Sequence, residues 1–350
     1  MCIRDSNRCV KCIRSITRSD VYVDHNGICN LCQTYKDNEG QIKPIDWGVF
    51  VNTLQTKYSP SLSRYQCMAL FSGGKDSTYM LQLLSKIPDF RVLAVTIDHW
   101  FTSPETEENI RRVLKAIPVD HINFRPSWFI ADELYKSLVT NTGELCLACE
   151  GFLTTEIYRL ATEMRIPSMA WGLSHQQFRT PPNWITKVDI NYWEKMHKRF
   201  IDSLGQAIGL ESELYLKFQR NYVPIFDDTL GAFPDLLFPF LALGYDPDQV
   251  ERSAQAIGWT RPTDVAGISS NCYANHLHNY LKRKLYTTDS LEDYLSHLVR
   301  KGTISRERAL SALESPLDTT SANKILEEIG LEIQIDDLAK GLFQLRRCMC

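Results

Sequence analysis

The stretch from Cys67 to Leu84 constrains the fold most. Cys67-Met-Ala-Leu-Phe71 is an apolar run of strand length, and Tyr79-Met-Leu-Gln-Leu-Leu84 is apolar at helical spacing. Between them lies Ser72-Gly73-Gly74-Lys75-Asp76-Ser77-Thr78, so a glycine pair turns the chain from strand into helix. Paired glycines permit a tight turn and let a ligand approach the backbone. The free N–H groups at the helix start favour an anion. Lys75 adds positive charge, and Ser72, Ser77 and Thr78 add hydroxyls. The implied ligand is a phosphate or pyrophosphate. This is not the Gly-x-x-x-x-Gly-Lys-Ser/Thr loop, because Ala69 stands where that pattern needs its first glycine. An ordinary Gly-Gly turn before a helix is the plainer alternative.

Further strand and helix patterns alternate after this stretch. Arg91–Ile97 reads as a strand ending at Asp98, Glu105–Ile117 as a helix, Val119–Phe124 as a strand, and Ile130–Val139 and Cys146–Arg165 as helices. Ile166–Trp171 reads as a fourth strand ending at Gly172. Such alternation implies a parallel sheet with both faces covered, and ligands of such sheets bind beyond the strand C-termini. Ser72–Ser77, Ile97, Asp98 and Gly172 fall at that edge. From about Pro182 helical patterns dominate. Tyr222–Phe226 reads as a last strand, Asp246–Ile257, Ser290–Lys301 and Ser305–Glu314 as helices with Ser305 an N-cap and Arg308 facing solvent, and Arg346–Cys350 as a frayed tail. Trp47–Tyr58 reads as a connecting helix broken by Ser59-Pro-Ser61.

Eleven cysteines stand in the 350 residues, six of them in C-x-x-C pairs. No secretory leader pattern opens the chain, so metal binding in a reducing cytoplasm is the better reading than a disulfide framework. Cys9-Val-Lys-Cys12 and Cys29-Asn-Leu-Cys32 supply two thiolates each, a spacing suited to a closed, structural Zn²⁺ site, with Gly27 at the second knuckle. Four free thiols in a small reduced module are the alternative, but so short a segment has little core of its own. A second group combines Cys146-Leu-Ala-Cys149 with the remote Cys272. Met1–Ser6 lacks periodicity and reads as foreign to the chain, so Cys2 carries no weight.

The net charge of −3 gives no global sign of a polyanion partner. Basic clusters at Lys195, Lys198 and Arg199, and at Lys282–Lys284, read first as solvated surface. No apolar run reaches membrane-span length. Nucleic acid and membrane are therefore not the expected partners.

Ser72–Ser77 resembles the pyrophosphate loop of the N-type ATP pyrophosphatases, which cleave ATP between its α- and β-phosphates. Several stretches together resemble one branch of them, the N-acetyl sugar amidotransferases of surface-polysaccharide synthesis. These are Arg8–Cys12, Asn26–Cys32, Ser72–Ser77, Glu108–Ile110, Ile166-Pro167 with Trp171-Gly172, Val223-Pro224, Gly258-Trp259 and Lys301–Leu310. The cysteine knuckles and Lys301–Leu310 are the more distinctive. The resemblance implies an adenine-nucleotide α-hydrolase-like, Rossmann-like α/β domain over residues 61–230. A zinc ribbon over 7–35, a linker helix over 36–60 and a helical region over 231–345 complete the expected organisation. It implies an AMP-forming ligase: ATP, with Mg²⁺, adenylates a carbonyl or carboxyl oxygen of a sugar, and ammonia from a separate glutaminase subunit displaces AMP. Gly73, Gly74, Lys75 and Ser77 would hold pyrophosphate. Asp76 would hold Mg²⁺, orient the loop or simply favour the helix start, and backbone near Ile97 and Asp98 would meet adenosine.

Two departures stand out. The family's Gly-Glu-Asn string is here Gly172-Leu-Ser-His175, so its sugar-binding residues do not carry over. His175 is a candidate acid/base or a solvated loop residue. Second, Cys146, Cys149 and Cys272 resemble the cluster-binding set of the related tRNA thiolases, which implies the alternative of a sulfurtransferase carrying a [4Fe-4S] cluster. A second zinc or inert packed thiols remain open.

Overall fold

The computed structural model describes residues 7–18, 20–38, 44–58, 63–174, 177–178, 181–224, 233–265, 271–286, 290–302, 304–314 and 317–348. In chain order the elements are α1 (Asn30–Asn38), α2 (Trp47–Tyr58), β1 (Cys67–Leu70), α3 (Lys75–Ser85), β2 (Val92–Ile97), α4 (Pro104–Ala116), β3 (Asp120–Phe124), α5 (Trp128–Asn141), α6 (Cys146–Glu163), β4 (Ser168–Ala170), β5 (Ile185–Thr186), α7 (Ile190–Trp193), α8 (Arg199–Ile208), α9 (Glu213–Tyr222), β6 (Asp235–Leu237), α10 (Pro239–Leu243), α11 (Pro247–Gln255), α12 (Asn275–Tyr286), α13 (Ser290–Arg300), α14 (Arg306–Leu313), α15 (Thr319–Glu328) and α16 (Ile335–Cys348).

Alternation along the central strands makes the sheet two-faced. Cys67 and Ala69 of β1 and Val92 and Ala94 of β2 pack with α2, α3 and α4. Met68, Leu93 and Val95 point the other way, into a larger core shared with α5, α6, α8, α9 and α12. The strand order is β3-β2-β1-β4-β6-β5. Pairs β1–β2, β1–β4, β2–β3 and β4–β6 are parallel, and the short edge strand β5 runs antiparallel to β6. The fold is thus a Rossmann-like α/β/α arrangement. Strand order reverses between β1 and β4, where such sheets open a crevice at their C-terminal edge.

Two expectations are corrected. Tyr222 closes helix α9 instead of opening a strand, and Ile225 and Phe226 lie outside the described residues. The strand that completes the parallel sheet is β6, so the sheet draws on chain beyond residue 230. The strand expectation at Tyr222–Phe226 rested on its β-branched and aromatic residues, which favour strands on propensity. The expected frayed tail is instead helix α16 as far as Cys348, held through Leu338, Ala339 and Leu342 in the larger core. His175 and Ser59–Ser61 lie outside the described residues. Among the described residues no helix is long and apolar enough to cross a membrane.

Candidate functional site

Helix α3 begins at Lys75, directly after Gly74, and no side chain caps its first N–H groups. That leaves the helix start open to an anion. Gly73 has φ +75°, and a Cβ there would lie 2.6 Å from Ile110 Cγ1 and 2.8 Å from Thr106 Cγ2, so only glycine fits. The Trp259 indole Nε1 donates to the Gly73 carbonyl at 3.0 Å. Ser77 Oγ accepts from Ser72 N at 3.2 Å and donates to Gly74 O at 3.1 Å, closing the turn on itself. Thr78 is buried beneath it. At the end of β4, a Cβ on Gly172 would stand 3.2 Å from Ser77 N and from Asp76 C, so glycine there lets the strand end touch the loop backbone.

Lys75 does not point into the crevice. Its Nζ donates to Asp76 Oδ1 at 2.7 Å and to the Tyr245 hydroxyl at 2.8 Å, and that hydroxyl donates to Asp76 Oδ1 at 2.7 Å. Burial, then the Asp76 charge, push the Tyr245 phenol far up, which keeps it protonated. A bound phosphate must therefore compete for an already partnered ammonium.

The crevice is a cavity of about 480 Å³. Ser72, Gly74, Asp76 and Ser77 form one side, with Ile97, His99, Trp171 and Gly172 from the strand ends. Cys149, Glu150, Asn271, Asn275 and Asn279 form the other. No lysine or arginine lines it among the described residues. Asp98 is turned away. Its carboxylate accepts from Arg125 Nε at 2.8 Å and from Trp100 N at 2.9 Å. Burial keeps His99 neutral by lowering it from 6.5. The Trp171 Nε1 donor is buried without a partner among the described residues.

Cys146 and Cys149 sit one turn apart at the start of α6 and so share a face. Cys272 comes to them through an antiparallel bridge with Thr102, supported by Ser103 N donating to Asn271 O at 2.9 Å and Tyr273 N to Phe101 O at 3.1 Å. The Tyr135 hydroxyl lies 3.5 Å from Cys149 Sγ and donates to His99 O at 2.8 Å, and His278 Nδ1 lies 3.3 Å from Cys146 Sγ. Burial raises all three thiols, Cys149 and Cys272 to about 12, and a neighbouring thiol of the trio adds to each shift. Of the trio, Cys149 lines the loop's cavity, and Cys146 and Cys272 lie close enough to it and to each other for their charges to interact. The three sulfurs do not all close to within 4.8 Å of one another.

No family model matches the chain. An uncharacterized protein of Methanocaldococcus jannaschii, MJ1599, is 22% identical over 270 residues, covering 77% of this chain and 80% of that protein. Among solved structures, the U34-tRNA thiolase NcsA from Methanococcus maripaludis with its [4Fe-4S] cluster aligns over 89% of this chain and 90% of its own, at 13% identity and TM-score 0.34. The phosphoadenylyl-sulfate reductase of Candida auris, in phosphate complex, aligns over 69% and 91%, at 12% identity and TM-score 0.37. A predicted tRNA methyltransferase subunit of M. jannaschii aligns over 63% and 87%, at 14% and 0.30. These likenesses are distant.

The other four thiols form a separate, closed centre. Cys9, Cys12, Cys29 and Cys32 are buried, with all four sulfurs within 4.8 Å of one another. The Cys9–Cys32 and Cys12–Cys29 sulfur separations are 3.9 and 3.8 Å. A tetrahedron with metal–sulfur bonds of about 2.3 Å has edges of about 3.8 Å, so the donor set fits one tetrahedral ion. Hydrogen bonding among the four thiols lowers Cys9 and Cys12 and raises Cys29 and Cys32, so the four titrate as one coupled set. Residue-type reasoning missed Tyr245, Tyr135, His278 and the three asparagines. Their signal is proximity across 14 residues for Tyr135 and Cys149, 132 for His278 and Cys146, and 170 for Tyr245 and Lys75, which no local spacing carries.

Proposed function

We propose that the chain is an ATP-dependent sulfurtransferase of the adenylating kind. A carbonyl oxygen of the substrate attacks the α-phosphorus of ATP, the bond to the bridging oxygen of the β-phosphate breaks, and pyrophosphate leaves with the electron pair. Sulfide then attacks the activated carbon, a C–S bond forms, and the C–O bond to AMP breaks. The observation that supports this reading is Cys149 on the wall of the cavity that Ser72, Gly74, Asp76 and Ser77 also line, with Cys146 and Cys272 beside it.

In this reading the α3 N–H groups, Ser77 and a released Lys75 meet the charge that builds on pyrophosphate. Asp76, freed from Lys75, holds Mg²⁺. Neutral His99 and the Trp171 indole line the acceptor's approach, and Tyr135 and His278 orient the thiols. A [4Fe-4S] cluster on Cys146, Cys149 and Cys272 would supply an open iron at which sulfide is carried. One zinc on Cys9, Cys12, Cys29 and Cys32 has a structural role, since four thiolates leave no open position. Among the described residues no lysine or arginine lines the cavity, which favours a neutral carbonyl acceptor over a carboxylate, on a small molecule or an exposed RNA base.

Amidation is the second reading, favoured by the state of the bare thiols. Burial keeps all three protonated at neutral pH, so without a cluster the cavity has no sulfur nucleophile of its own. Ammonia from a glutaminase partner would then displace AMP from an adenylated N-acetyl sugar. Metal analysis of protein purified without oxygen decides between them. Iron with labile sulfide, and a Cys149→Ser variant that still releases pyrophosphate but loses sulfur incorporation, are expected. Zinc as the sole metal, with ammonia-dependent AMP release intact in Cys149→Ser, would overturn sulfur transfer.

A further inference from the structure

The two most distinctive sequence stretches, the cysteine knuckles and Lys301–Leu310, have no role in the cavity. They meet each other, about 290 residues apart in sequence. Arg300, the last residue of α13, directs Nη1 to Cys12 Sγ at 3.6 Å. Arg306, the first residue of α14, donates Nε to Cys12 O at 3.0 Å and Nη2 to Cys9 O at 3.2 Å. Backbone donors complete the shell: Arg14 N reaches Cys12 Sγ at 3.4 Å and Cys29 N reaches Cys9 Sγ at 3.2 Å.

Charge explains why two arginines belong there. Four thiolates around one divalent ion carry net −2, and a buried net charge needs partners. The two guanidiniums supply +2 from the far end of the chain. Around this centre the pairing continues with Arg8 Nη1 on Glu292 at 2.8 Å, Ser15 N on Glu292 at 2.9 Å, and Arg14 on Asp293. Ile13 is buried with Leu295 and Ala309, while Val299 packs on the thiol cluster itself. The module's own buried apolar side chains besides cysteine are few, so it has little to fold around except the ion and these two helices.

We propose that Arg300 and Arg306 are the outer-sphere cations of a four-thiolate divalent ion, so that ion binding by the N-terminal module and docking of α13 and α14 are one equilibrium. Without the ion nothing joins the two knuckles, and the Cys12 sulfur and the Cys9 and Cys12 carbonyls that Arg300 and Arg306 reach lose their common anchor. With it, the C-terminal helices are clamped to the knuckles. This inference is independent of the reaction proposed for the cavity.

The test uses the full-length zinc-loaded protein. Chelation with 4-(2-pyridylazo)resorcinol should speed amide exchange in 291–300 and 306–313 by about tenfold or more, while β1 and β2 stay protected. Arg300→Gln and Arg306→Gln should each weaken zinc about 10- to 100-fold in competition with the same chelator, as outer-shell losses do. Arg300→Lys, which keeps the charge, should recover most of that loss. Unchanged zinc affinity in both glutamine variants would overturn the proposal. Should those variants fail to fold, exchange in the wild-type chain decides alone, and equal protection of 291–313 with and without zinc refutes the coupling.

Discussion

Replacing Gly73 with alanine tests the loop's geometry most directly. The residue's φ of +75° is a left-handed conformation that costs an alanine roughly 1–2 kcal/mol. The new methyl would also sit 2.6 Å from Ile110 Cγ1 and 2.8 Å from Thr106 Cγ2, both on buried faces of α4. Overpacking of that kind costs about 1–3 kcal/mol. Together the penalty is about 2–5 kcal/mol. At about 2.1 cal/mol/K of unfolding entropy per residue, a chain of 350 residues would lose about 3–7 °C in Tm. The alternative to unfolding is for the loop to move, and then the α3 N–H groups no longer converge. ATP-dependent pyrophosphate release should therefore fall even where the melt shifts little.

A double-mutant cycle separates these terms. Ile110→Ala removes the nearer clash and carries its own cavity cost of about 2–5 kcal/mol. Combined with Gly73→Ala it should be less destabilising than the sum of the singles by about 1 kcal/mol or more, because contacting sites couple. Additive melts, with pyrophosphate release unchanged in Gly73→Ala, would refute the claim that this glycine exists for the close approach of α4.

Other expectations follow from the same contacts. Lys75→Ala and Ser77→Ala should each slow pyrophosphate release about 10²–10³-fold, because the proposed reaction needs Lys75 released from Asp76 toward the leaving group and Ser77 holding the turn closed; near-normal AMP formation in both would remove the loop from the chemistry. Cys29→Ser should lose zinc and lower the Tm or soluble yield, and full zinc content with an unchanged melt would contradict a four-thiolate site. Burial lowers His99 and His121 from 6.5, so the unfolded chain takes up their protons first and stability should fall as pH drops below that value. His121→Asn should flatten the change in melting temperature between about pH 7 and 5.5, and an identical slope would assign it to other groups.

How much was legible in the chain depended on the range of the signal. Local periodicity placed β1, β2, β3 and β4 and the helices between them within a few residues, because each strand's two faces are fixed by its own alternation. Ser103, Asp246 and Ser305 cap helices with their own side chains, so those starts are readable. β6 was not, since Asp235-Leu-Leu237 is three residues long and owes its conformation to pairing with β4. Gly73 and Gly172 were readable as turn and strand-end glycines, but the reason for each lies in a contact with Ile110 or with the α3 backbone. Lys75 was readable as a cation beside the loop, whereas its capture by Tyr245 was not, because the partner stands 170 residues away.

The two thiol groups carry the same spacing motif and yet differ in what they can hold. In both, a C-x-x-C pair sets two sulfurs, but the third and fourth positions decide the centre. Cys29 and Cys32 bring a second pair with a second turn, so four sulfurs close to tetrahedral edges near 3.8 Å and exclude everything but one ion. Cys146 and Cys149 receive only Cys272, carried on a single bridge to Thr102, with Tyr135 and His278 at their flanks. Three donors leave one position open, and of the three Cys149 lines the cavity that Ser72 and Ser77 also line. A closed set leaves no position for a substrate and an open set does, which is why we propose the chemistry at the trio and a structural role for the quartet.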